Sequence, residues 1–252
     1  MNGGGNTLIE HLEALRRTLL RILAVTLLLV PLAYWASPYL IEALRRWCLP
    51  KGGQLHYFSP MEVFWVRLKL SLVLALALAY PWNMLQIWKF ILPALYPKER
   101  HALGFWIVLS SFLFFGGGAF CILAILPLLM RFSISFATAS IRPLIGLEGF
   151  LDMAGWLTLS FALMFQTPIV VYLAVRMDLV STKDLAAKRP YVVVAILVLA
   201  ALLTPPDVVS QLLLAAPTWL LFEAGLLLVR RAEKRRKAEE AAADAGNPDP
   251  ET

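Results

Sequence analysis

The residues in this chain that could do specific chemistry are carboxylates and arginines gathered at the ends of apolar runs. Glu10 and Glu13 stand beside Arg16 and Arg17 in "EHLEALRR", and Glu99 stands between Lys98 and Arg100 in "ALYPKERHAL". A carboxylate so placed either pairs with its own neighbours in a solvated turn or helix end, or accepts the guanidinium forks of a partner. The residues alone leave both readings open.

Catalysis has little to stand on. His11, His56 and His101 fall in separate segments with no i, i+4 partner, so no helical zinc motif is present. Cys48 and Cys121 lie far apart, form no CxxC pair and argue for neither a metal site nor a disulfide framework. There is no phosphate-binding Walker loop, no GxSxG and no GxGxxG. No metal, cofactor or enzymatic reaction is expected.

Other polar groups interrupt apolar surroundings. Glu223, in "WLLFEAG", is a costly charge inside a span that must face protein or water, stay protonated, or pair with a basic residue of the tail. Gln166, in "MFQTPIVV", either caps the backbone groups that Pro168 frees or offers a polar contact to a ligand. Asp207 follows Pro205 and Pro206 and suits the N-cap of the last helix. Pro60 and Glu62, in "FSPMEVF", read as a helix start.

The elements that must position these residues are membrane helices. Of 252 residues, 60% are hydrophobic and only 16% charged, against about 25% charged in a soluble domain; the mean hydropathy is +0.71. The apolar runs are continuous rather than alternating, so they are helices. Six spans are expected: 18–36, 64–87, 103–126, 151–175, 191–203 and 208–229. Residues 1–17 form an amphipathic N-terminal segment and 230–252 a charged tail, helical at first and then disordered. The basic start resembles a signal peptide, but with further spans following it reads as an uncleaved first helix.

Basic residues set the orientation. With both termini in the cytoplasm, that side receives Arg16, Arg17 and Arg21, then Lys89, Lys98 and Arg100. It also receives Arg176, Lys183, Lys188 and Arg189, then the six Lys and Arg residues between 230 and 237, for 16 of the 23 in the chain. The net charge of +6 therefore reflects topology rather than nucleic-acid binding. The fifth span, "YVVVAILVLAALL", reaches only about 20 Å, short of a hydrocarbon core of about 30 Å, so it must thin the bilayer or lean on its neighbours. Pro81, Pro168 and Pro217, with Gly116, Gly117 and Gly118, predict bent helices and glycine-backed close contacts.

Six segments in order resemble the TatC family, the multi-spanning subunit of the twin-arginine protein translocase. They are "HLEALRR", "SPMEVFWVRLKL", "LQIWKFILPALYPKER", "FQTPIVV", "DLAAKRPYVVV" and "LLTPPDVVSQLLLAAP". The resemblance implies a cupped, glove-like arrangement of six tilted helices in a bacterial inner membrane. It implies a receptor that binds twin-arginine signal peptides of folded precursors, with export driven by the protonmotive force. The partners it implies are the single-span subunits TatB and TatA, other copies of the chain, and the lipid bilayer.

Carried over by motif, Glu99 is an acidic signal-binding position beside Arg100. The family's N-terminal glutamate falls on Ala14 here, leaving Glu13 one residue away, rotated by about 100° on a helix, and Glu10 about one turn away. Many relatives have a glutamate where this chain has Gln166, and an amide does not titrate, so no proton-carrying role is expected there. Asp207 matches the family in "TPPD", on the outer side, where TatB or TatA contact is implied. The alternative, a secondary transporter of a small solute, would call for paired intramembrane charges and an internal repeat; no repeat is visible.

Overall fold

The structure is a computed structural model. It describes residues 3–50, 53–91, 103–138, 143–177, 179–204 and 208–245, with backbone alone at 3–11, 91, 103 and 235–245. The described residues are helical apart from turns and one isolated bridge. The chain divides into two compact units, Met1–Leu163 and Met164–Thr252.

In the first unit, α1 (Gly3–Cys48) has 46 residues and merges the expected amphipathic lead-in and first span into one helix. It continues past Ala36 through Pro38, and the chain deals with that proline directly. Pro38 has no N–H for the carbonyl of Tyr34, four residues back. Ser37 Oγ donates to that carbonyl at 2.8 Å, and Arg67 Nη2 donates to it at 3.2 Å. Arg67 belongs to α2 (Glu62–Ile91), which runs antiparallel to α1, as the pairs Arg67–Ser37 and Asn83–Thr26 show.

The third span is longer than expected. The sequence suggests an end at Leu126, directly before Pro127, but the apolar stretch runs from Gly104 to Ser135. It comprises α3 (Leu103–Phe120), a π-helical turn (Cys121–Ile125) and α4 (Leu126–Ser135), with Pro127 in the first turn of α4. The widened turn admits the proline without ending the helix. The carbonyl of Leu123, deprived of its i+4 donor, accepts from Trp47 Nε1 at 3.4 Å. Tyr80 of α2 stacks on Phe114 of α3, ring centroids 3.6 Å apart, and its hydroxyl meets Ser110 Oγ at 2.9 Å.

α5 (Leu147–Met164) closes this unit, and its start is fastened to the start of α2. His56 N donates to the Ile145 carbonyl at 3.0 Å and Leu147 N to the His56 carbonyl at 2.7 Å. The buried Glu62 carboxylate accepts three backbone N–H groups, from Phe58 at 2.6 Å, Ser59 at 3.2 Å and Glu148 at 3.1 Å.

The second unit contains α6 (Thr167–Arg176), α7 (Thr182–Ala187), α8 (Arg189–Leu203) and α9 (Val208–Ala245). α8 has 15 residues, about 22 Å, so the fifth apolar helix is short as expected. α9 runs on without a break from its apolar half into the charged segment. Gly225 brings α9 against α6: a Cβ there would lie 2.9 Å from Pro168 Cα. The expected close approach is therefore at Gly225, whereas Gly116 has nothing within 4 Å and Gly118 only an ordinary contact at 3.5 Å. Gln211 Nε2 ties α9 to α8 through the Leu197 carbonyl at 3.1 Å.

Five helical stretches are long and apolar enough to cross a membrane, with α8 as a shorter apolar helix. Their outward faces carry large hydrophobic side chains, Leu28 at 78% exposure, Phe112 at 74% and Leu202 at 75% among them. Contiguous apolar surface on that scale is a face for lipid, not water.

Candidate functional site

Charged groups cluster at the helix ends, and the expected site residues distribute among them unevenly. Glu13 and Arg16 lie on the exposed face of α1. Glu13 accepts from Arg17 Nη2 at 2.5 Å, one turn on, so it is poised as a guanidinium acceptor but already holds one. Glu10 lies within the α1 backbone. Glu99, Arg100 and Asp207 fall outside the described residues.

Pro60 sits in the turn before α2, and the carboxylate that organises this turn is Glu62. The Ser59-x-x-Glu62 spacing is the sequence signal for it: the carboxylate three residues after the N-cap reaches back to free N–H groups. Its third bond, to Glu148 N, could not be read from spacing.

Gln166 is 9% exposed and stands at the N-cap of α6, where its side chain makes no capping hydrogen bond. Of the two readings open for Gln166, the capping of the carbonyl that Pro168 frees is carried by Thr167. Pro168 orphans the carbonyl of Met164, and Thr167 Oγ1 donates to that carbonyl at 2.5 Å. The Gln166 carbonyl accepts from Ile169 N at 2.9 Å and Val170 N at 3.0 Å.

Glu223 pairs with Arg189, in the first turn of α8, rather than with the basic tail. Arg189 Nε meets Oε1 at 2.7 Å and Nη2 meets Oε2 at 2.8 Å, a bidentate fork. Ten residues on, Glu233 accepts from the buried Thr182 hydroxyl at 2.8 Å, docking α7 on α9. Ser181 caps α7: Asp184 N donates to Ser181 Oγ at 3.0 Å and Ser181 Oγ donates to Asp184 Oδ2 at 2.7 Å. The Ser181 hydroxyl holds the Asp184 carboxyl below its ordinary range.

Arg67 is another ionisable group within a span. Its Nε donates to Ser37 Oγ at 3.1 Å, and its guanidinium carbon lies 4.4 Å from the Tyr34 ring centroid. At the opposite end of α2 from Lys89, Lys69 bridges Glu148 at 2.9 Å and Asp152 at 2.8 Å, and Glu42 holds both Arg45 and Arg46. Lys69, Arg45 and Arg46 are thus neutralised locally. Cys48 and Cys121 are buried and free, and Cys121 Sγ accepts from Thr158 Oγ1 at 3.8 Å. Among the described residues no group of three His, Cys, Asp or Glu could hold a metal.

Among the described residues the polar groups tie helices together and leave charged faces at the helix ends. Residues 10–217 match the family described as Sec-independent protein translocase protein (TatC). This chain belongs to the TatC family. It is 36% identical over 191 residues to the TatC protein of Haemophilus influenzae, covering 75% of each chain. It is 35% identical over 190 residues to that of Escherichia coli K12, covering 74% of each. A crystal structure of a twin-arginine translocase receptor, TatC, superposes with a TM-score of 0.80 at 29% identity, covering 88% of this chain and 99% of the other. A TatC-family chain is a multi-pass membrane component of a protein translocase, a transport subunit and not an enzyme.

Proposed function

We propose that this TatC-family subunit is the receptor that binds twin-arginine signal peptides of folded precursors and passes them to export driven by the protonmotive force. The observation that carries the proposal is family membership along most of the chain, including likeness to a translocase receptor. α8 is the sixth span, both termini lie in the cytoplasm, and the six tilted helices form a cupped arrangement in a bacterial inner membrane. Residues 1–17 are an interfacial cytoplasmic segment, 18–229 the membrane domain and 230–252 a cytoplasmic tail. The local neutralisation of Lys69, Arg45 and Arg46, against the basic excess in the sequence at the other helix ends, supports that orientation.

In this reading Glu99 takes one guanidinium of the signal, with Arg100 beside it, and Glu13 or Glu10 takes the other near Arg16. Glu13 must exchange Arg17 for the incoming arginine, a change of partner that costs little because the Glu13–Arg17 pair is exposed. Gln166 and Asp207 contact the single-span partners TatB and TatA, and Pro60 and Glu223 shape the ends of the helices beside them. Further copies of the chain complete an oligomeric receptor, with no nucleic acid and no cofactor. Deleting the gene and following export tests the proposal. Folded twin-arginine precursors should accumulate in the cytoplasm while precursors exported unfolded are unaffected; continued export of the folded class would refute it.

A further inference from the structure

A cavity of about 390 Å³ opens between α1 and α2, bordered by Arg17, Arg21, Gln86, Lys89 and Phe90 beside Glu13. That is about a dozen water volumes, enough for a phosphodiester and its hydration. Three cations face one carboxylate there. Glu13 is taken up by Arg17, which leaves Arg21 and Lys89 with no ion-pair partner among the described residues. Gln86 is 5% exposed, and its side-chain amide has no hydrogen-bond partner among the described residues although it borders an open cavity. Its amide is therefore available to bond a group that enters the cavity.

The surroundings fix the level at which the cavity lies. Leu19, Leu20 and Leu23 of α1 are exposed around Arg21, and Trp82 of α2 is exposed two turns from Lys89. An apolar face that ends in a pocket of arginine and lysine beside an interfacial tryptophan is the pattern of a helix pair crossing from acyl chains into headgroups. Glu13 and Ala14 border the part of the cavity where the proposed signal contact lies, whereas Arg21 and Lys89 line a part whose charge suits an anion.

We infer that this cavity binds the phosphate of an anionic phospholipid, with Arg21 and Lys89 supplying the charge, Gln86 donating its amide N–H, and the lipid's acyl chains lying along the exposed leucines of α1. The site goes beyond signal recognition and does not depend on Glu99.

The test is native mass spectrometry of the full-length protein released from micelles containing equal phosphatidylglycerol and phosphatidylcholine. Two juxtaposed cations predict a preference of about tenfold or more for phosphatidylglycerol, lost in the Arg21→Gln/Lys89→Gln protein and kept in the Arg21→Lys/Lys89→Arg protein. Millimolar inorganic phosphate should leave the bound lipid in place. An unchanged preference in the Gln variant would overturn the site, as would equal loss in both variants. Displacement by inorganic phosphate would overturn the lipid assignment in favour of a free anion.

Discussion

Arg189 and Glu223, 34 positions apart, join the first turn of α8 to α9 through two charge-assisted hydrogen bonds of 2.7 and 2.8 Å. Glu223 sits in an otherwise apolar stretch of α9, and the fork from Arg189 gives both of its carboxyl oxygens a partner. The same bond anchors the start of the short α8. With only about 22 Å of helix, α8 has little lipid-facing length to hold its own position, so a fixed end matters more than it would for a full-length span.

Replacing Glu223 with Gln should therefore loosen α8 against α9. Arg189 is 45% and Glu223 21% exposed, so screening limits the pair, and a double-mutant cycle with Arg189→Gln should give a coupling of about 1 kcal/mol. Thermal unfolding of the detergent-solubilised protein measures it. A coupling of zero would mean that the fork contributes nothing to docking.

Gly225 offers a sharper contrast. A methyl group on this residue would meet Pro168 Cα, a backbone atom, at 2.9 Å, so Gly225→Ala should destabilise by about 1–3 kcal/mol through forced separation of α6 and α9. Gly116→Ala, with nothing within 4 Å, should be neutral or stabilising by up to about 1 kcal/mol from helix propensity. The two unfolding temperatures, measured side by side, decide whether the glycine contact lies where the structure puts it.

Thr167 should matter more than its neighbour Gln166 for the break between α5 and α6. Thr167→Val keeps the shape but leaves the Met164 carbonyl without its hydroxyl donor, at a cost of about 1–3 kcal/mol, with faster amide exchange around the break. Gln166→Leu removes no side-chain cap of α6 and should change exchange there less than Thr167→Val does. The reverse order of effects would reinstate Gln166 as the cap.

The pattern behind these results explains what was legible in the sequence. Helical spans, the short fifth helix and the proline positions follow from local composition, which reports hydropathy and helix-breaking residues directly. The answers to the prolines do not. Tyr34, Leu123 and Met164 each lose an i+4 donor to Pro38, Pro127 and Pro168, and each recovers one from a side chain. Two of those repairs reach across helices, from Arg67 and Trp47, so no window of sequence contains them. The third span was read short for the same reason: Pro127 looks like a stop until the π-helical turn accommodates it. Glu223 was visible as a misplaced charge, but its partner lay beyond local spacing, and the tail was the nearer guess. Glu62 carried a legible S-x-x-E signature, while its bond to Glu148 N depends on tertiary structure.

The proposed receptor role depends most on Glu99, the acidic signal-binding position that the resemblance in "YPKER" implies, with Ala14 standing where it implies the other glutamate. The most direct measurement is site-specific photocrosslinking of a twin-arginine signal peptide to membranes containing the intact protein or its Glu99→Gln variant. Loss of one guanidinium partner predicts a reduction of at least about tenfold in crosslinking at equal protein level. Crosslinking undiminished in Glu99→Gln would contradict the account.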